Sequence, residues 1–171
     1  GDSARPDTPC SSPYVTCVGG TRLTLDPLGG VLAETAWQSS GSGDAKTFNT
    51  PAWQQGVVPG TKRAMVDLAL NASPASAYWV RRLGSWSAYG GTSFSAPVFA
   101  GLVAVVNSYR ASKGLPAVGY LNPTLYTDLA VRASFRDVVL GGTDLYDAKV
   151  GWDYPTGWGA PRAMKLADAL P

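Results

Sequence analysis

The stretch GGTSFSAPVFAGLVAVVN, Gly90 to Asn107, sets a threonine and two serines between a double glycine and a long apolar run. From Pro97 onward apolar residues recur at Val98, Leu102, Val105 and Val106, with Phe99 and Val103 on the flank. That is a helical period with a wide apolar stripe. The spacing predicts a largely buried helix with Pro97 in its first turn, where a missing N–H costs nothing, ending near Gly114. A serine between a glycine turn and such a helix lies near free backbone N–H groups and the positive end of the helix dipole. Two readings of Ser93 follow. It is a hydroxyl cap, the ordinary use of Ser and Thr at this position, or a nucleophile held beside donors for an oxyanion.

The remaining composition narrows the chemistry. A chain of 171 residues fits one domain with a real core. Its net charge of +2 comes from scattered Lys and Arg with no basic stripe, which argues against nucleic acid as a partner. The longest apolar run, Ala96 to Val106, is too short to span a bilayer, so no membrane is expected. The first residue is Gly1 and no signal-peptide pattern follows, which points to a processed or truncated product. Cys10 and Cys17 are either a short-loop disulfide, which would indicate an oxidising compartment, or two buried thiols. With no other Cys and no His they cannot build a zinc site. Of the 12 acidic residues, Glu34 is the only glutamate. A general base in this chain must therefore be a carboxylate, a lysine or a tyrosine.

Along the chain, Tyr14–Leu25 alternates and is β-branched, and reads as two strands around a Gly19-Gly20 turn. Gly29–Trp37 reads as a strand, and Ser39–Gly56 as a long polar loop with a short helical turn at Pro51–Gln55. Arg63–Ala72 is a buried strand carrying Asp67, read as a structural hydrogen-bond acceptor. Ala77–Gly90 is a hairpin turning near Gly84. A second helix is expected over Leu121–Ala130, with Asn122 as cap and Pro123 at its first position. Phe135–Pro161 is a Gly- and Asp-rich loop region, and a short helix closes the chain.

Several segments, in order, carry a family resemblance. GGTSFSAPVFAG resembles the S-G-T-S-x-S-x-P-x-x-x-G segment of the sedolisin family, the serine-carboxyl peptidases, including its tripeptidyl peptidase-type members. SSPYVTCVGGT (11–21), ETAW (34–37), FRDVV (135–139) and GWDYPTGWGAP (151–161) resemble further motifs of that family. The resemblance implies an α/β fold with a largely parallel, subtilisin-like sheet flanked by helices. It also implies that residues 1–171 form the C-terminal part of a peptidase catalytic domain, acting on peptide or protein substrates. Ser93 matches the nucleophile and Ser95 a non-catalytic hydroxyl. GDS at the start resembles the family's G-D-x-G, which assigns Asp2 to the oxyanion hole as a protonated donor, with Ala4 in place of the glycine.

The family replaces histidine as base with a glutamate, paired with an aspartate four residues away. Such a pair works in acid because one of two coupled carboxyls keeps a proton. No Glu-x-x-x-Asp exists here, so the pair is expected on a preceding N-terminal half of the domain. Glu34 falls in the E-T-x-W match, where the family has no base. Calcium is the implied cofactor, in the region near 135–161. Its ligands carry over as the Asp137 and Asp153 carboxylates and the Val138, Lys149 and Gly151 carbonyls, a hard-oxygen set suited to that ion. Without the resemblance, the two aspartates read as turn caps. Asp144 and Asp147 read as solvated loop acids. The substrate-side G-G-G-[FY]-S segment of the family is here SGSGDAKTF. Secretion, or another acidic extracytoplasmic compartment, is implied. Two alternatives stand beside the enzyme: a non-catalytic, secreted, calcium-braced module of the same fold, and a hydrolase using Glu34 or Lys62 as base within this chain.

Overall fold

A computed structural model describes residues 1–3 and 5–171; Ala4, the departure from the G-D-x-G pattern, lies outside the described residues. In chain order the strands are β1 (Val18–Leu25), β2 (Val31–Ala36), β3 (Gly43–Asn49), β4 (Lys62–Met65), β5 (Leu68–Asn71), β6 (Tyr78–Arg82) and β7 (Ser85–Tyr89). The helices α1 (Thr92–Ser112), α2 (Leu121–Thr127) and α3 (Leu129–Ala133) follow. A two-residue β8 (Phe135–Arg136) pairs with β9 (Ala160–Pro161), and α4 (Ala163–Ala169) ends the chain.

The central sheet has the order β2-β1-β5, with β1 antiparallel to β2 and parallel to β5. β3–β4, β6–β7 and β8–β9 are antiparallel pairs. The parallel element of the sheet thus lies in β1–β5, which α1 covers from one side, while α4 packs on α1. Phe99 and Val106 of α1 join Leu68, Leu125, Val131 and Leu166 in the main core.

Several expectations from the sequence are redrawn. Gly19 and Gly20 lie inside β1, not in a turn. A Cβ on Gly20 would stand 2.7 Å from Ala72 Cβ and 2.8 Å from the Trp37 ring, so the glycine serves close approach rather than chain reversal. The polar segment after Ser39 contains β3, a half-exposed strand whose polar residues disguise it. The 63–72 run is two strands, broken at Val66-Asp67. The hairpin turns at Leu83-Gly84, both at positive φ, where it was expected. The second helix splits in two: Asp128 caps α3 by accepting from the N–H groups of Ala130 and Val131. Asn122 instead is buried, binding Thr16 and the Val15 carbonyl.

The helix of the opening stretch begins at Thr92, so Pro97 sits in its second turn and withholds the N–H that would bond the Ser93 carbonyl. Nor is it largely buried. Val105 is 65% exposed and Val98 40%, while Phe99 and Val106 are 6% and 3% exposed. By length and composition alone this helix could cross a membrane. Its inner face seats on the sheet, and near its end a buried Arg110 donates to the carbonyls of Pro116, Leu170 and Pro171.

A buried polar cluster locks the sheet to α2. Asp67 accepts from Cys17 N–H at 2.7 Å, Arg63 Nη2 at 2.5 Å and Tyr126 O–H at 2.8 Å. Burial pushes the Asp67 carboxyl above its ordinary range, and the Arg63 charge opposes the shift. Cys10 and Cys17 are bridged, which decides between the two readings of the pair.

Candidate active site

The first turn of α1 carries three hydroxyls, and the structure gives each a different environment. Ser95 is fully buried, its Oγ donating to the carbonyls of Leu70 and Asn71 at the end of β5. Thr92 is buried and donates through both N–H and Oγ1 to Asp2 Oδ1, at 2.8 and 2.7 Å. Ser93 is exposed, and its Oγ has no hydrogen-bond partner among the described residues.

Asp2 reaches this turn from the far end of the sequence. Gly91 precedes the helix at φ +119° and has no side chain to cap it; the Asp2 carboxylate supplies the cap. A Cβ on Gly91 would lie 2.6 Å from Asp2 Oδ2, so the glycine is needed both for its φ and for that approach. The structure thus brings Asp2 to Thr92, the residue directly before Ser93. Asp2 also lines a cleft of about 430 Å³ with Ser3, Arg5, Ser39, Asp144 and Leu145. Thr92 was not singled out in the sequence; a hydroxyl directly before the serine was the available signal.

Glu34 is placed differently. Its side chain is 4% exposed, Oε1 accepts from Thr21, and Oε2 accepts from Nε and Nη2 of Arg136. Both oxygens are therefore engaged in holding β1, β2 and β8 together. It lines a separate groove of about 600 Å³ with Leu23, Leu25, Trp79 and Arg136, whose walls include neither Ser93 nor Asp2. Lys62 donates to Asn49 across the β3–β4 pair.

The loops after β8 hold the second constellation. Asp137 Oδ2 accepts from Gly151 N–H at 2.8 Å, and Asp153 Oδ2 from Lys149 N–H at 2.9 Å. Asp153 Oδ1 accepts from Thr156 N–H and Oγ1. Asp153 is 1% exposed. Burial pushes its carboxyl up to about 6, with the Asp137 charge adding to the rise. Among the described residues no cationic side chain pairs with it, and no three carboxylate, His or Cys groups converge. The two carboxylates flank the same loop, and Val138 is buried beside Asp137. A buried, uncompensated carboxylate with a second one nearby suits a hard cation, provided that carbonyl oxygens complete the shell. The residues present fit calcium in that respect.

The comparisons with known proteins agree with this architecture. No protein-family model matches the chain. The structure resembles Pseudomonas sedolisin (serine-carboxyl proteinase), solved with two molecules of pseudo-iodotyrostatin. The TM-score is 0.83 at 30% identity, over 96% of this chain and 50% of that one. That likeness fixes the class as the α/β, subtilisin-like fold. By sequence, kumamolisin of Bacillus sp. (strain MN-32) is 40% identical over 184 residues, 96% of this chain and 32% of its own length. Sedolisin of Pseudomonas sp. (strain 101) is 34% identical over 93% of this chain and 29% of its own. Tripeptidyl-peptidase 1 of Canis lupus familiaris is 33% identical over 97% and 33%. The chain belongs to the sedolisin family. It spans about a third of the length of the curated relatives it matches.

Proposed function

We propose that this chain is the C-terminal portion of an acid-acting serine-carboxyl peptidase, with Ser93 as nucleophile and Asp2 as oxyanion donor. One observation carries the reading: Asp2 is seated on the helix turn that holds Ser93, the one hydroxyl of that turn left without a partner among the described residues. In the reaction, Ser93 Oγ attacks the peptide carbonyl carbon and gives its proton to a carboxylate base. The carbonyl oxygen gathers negative charge as the tetrahedral intermediate forms. A protonated Asp2, oriented by its bonds to Thr92, donates to that oxygen, and the positive end of α1 favours the same charge. The protonated base then passes its proton to the departing amine, leaving an acyl-Ser93 ester that water hydrolyses.

The base is a Glu–Asp pair on the preceding half of the domain. Two observations support this: Glu34 is engaged by Arg136 and Thr21, and sedolisin extends over twice the length that this chain matches. The open face of α1, with Val98 and Val105, is the surface that this half would cover. Calcium, held by Asp137, Val138, Lys149, Gly151 and Asp153, braces the C-terminal loops. The compartment is acidic and extracytoplasmic, in keeping with the Cys10–Cys17 bridge.

A serine-directed phosphonate, incubated at about pH 4 with the protein that includes the preceding half, tests the assignment. Peptide mapping is expected to find the adduct on Ser93, and S93A is expected to remain unlabelled. Labelling elsewhere would move the nucleophile. No labelling of a folded protein would favour the non-catalytic module.

A further inference from the structure

Ser93 is followed by Phe94, whose ring faces the β6–β7 hairpin. It stacks on Tyr78 at 5.5 Å between centroids and 14° between planes, and on Tyr89 at 6.0 Å and 22°. Tyr78 and Tyr89 are directly paired across the hairpin, so the three rings are near-parallel and come from three successive elements. The Tyr78 hydroxyl donates to the Asn71 carbonyl at 2.8 Å. Asn71 is also where Ser95 Oγ is anchored, which ties the rings and the serine turn to the same strand end. The shelf is therefore fixed relative to Ser93. Phe94, next to Ser93 in the chain, is only half-buried and Tyr89 is 37% exposed, so aromatic surface remains open there, while Tyr78 also lines the Glu34 groove.

We infer that the Phe94–Tyr78–Tyr89 shelf is a specificity site for an aromatic or large aliphatic substrate side chain next to the cleaved bond. The inference rests on the reading of Ser93 as nucleophile. A flat, rigid apolar surface adds dispersion and stacking contacts to such a side chain and loses little freedom in doing so. A small side chain leaves the shelf wet and gains nothing. Discrimination of about tenfold between Phe and Ala is expected from one ring packed in this way.

The test uses the protein with its preceding half and peptides varied at both residues flanking the cleaved bond. Wild type is expected to show a kcat/KM ratio of about ten for Phe over Ala at one flank. F94A is expected to bring that ratio close to one, and F94L to restore a preference for large aliphatic side chains. A ratio unchanged in F94A, or no apolar preference at either flank in wild type, would overturn the inference. So would an equal loss on both peptides in F94A, which would make the stack purely structural. S93A separates the two layers: turnover by S93A removes the nucleophile reading itself. An inert S93A beside an unaltered F94A ratio removes only the shelf.

Discussion

The two faces of α1 follow different rules. On one, Phe99, Val106 and Arg110 are nearly inaccessible, and Phe99 and Val106 join β5, α2 and α4 in one core. On the other, Val98 and Val105 stand open, and Ser93 is exposed at the helix start. The closed face is complete within this chain. The open face is apolar without being packed, and the preceding half proposed above is what would cover it. On the proposed reading, stability lies with the first face and chemistry with the second.

The largest effect expected on that contrast is catalytic. S93A, in the protein with its preceding half, should lower kcat on peptides by roughly 10³-fold or more, read from initial rates, with the melting temperature unchanged. Breaking the closed side should instead unfold the chain. Asp67→Ala strips the partner from a fully buried Arg63 and should cost about 3–5 kcal/mol in denaturant unfolding.

A matched pair on α1 sharpens the comparison further. Phe99→Ala should destabilise residues 1–171 by about 3–5 kcal/mol. Val105→Ala should change their stability by no more than about 0.5 kcal/mol, yet weaken the assembled domain measurably. Equal effects of the two in the isolated chain would erase the distinction between the faces. The smallest effect concerns the loops of Asp137 and Asp153. Calcium at about a hundred times its dissociation constant should add about 2.7 kcal/mol, seen as a rise in melting temperature that chelator reverses and Asp153→Asn removes.

What the sequence could tell was uneven, for physical reasons. The hairpin at Leu83-Gly84 was legible because two short aromatic-bearing runs, Tyr78–Arg82 and Ser85–Tyr89, flank a glycine suited to a tight turn. Gly19-Gly20 misled because glycine marks both turns and close approaches, and only the positions of Ala72 and Trp37 decide between them. β3 was hidden because a half-exposed strand looks like a polar loop. The start of α1 was displaced by Pro97, a residue that suits a first turn but is tolerated here in the second. In the candidate site, the local pattern around Ser93 admitted a helix cap as readily as a nucleophile, and only the family resemblance separated Ser93 from Ser95, which the structure buries against the end of β5. The bond from Thr92 to Asp2 joins residues 90 positions apart, beyond the reach of any local pattern.

The division of labour between the faces is tested most directly by peptide hydrolysis at about pH 4, measured for residues 1–171 alone, for the preceding half alone, and for the two combined. Neither part should turn over substrate alone, and the combination should do so in a manner abolished by S93A. Turnover by residues 1–171 alone would place the base within this chain and contradict its proposed assignment to a preceding half.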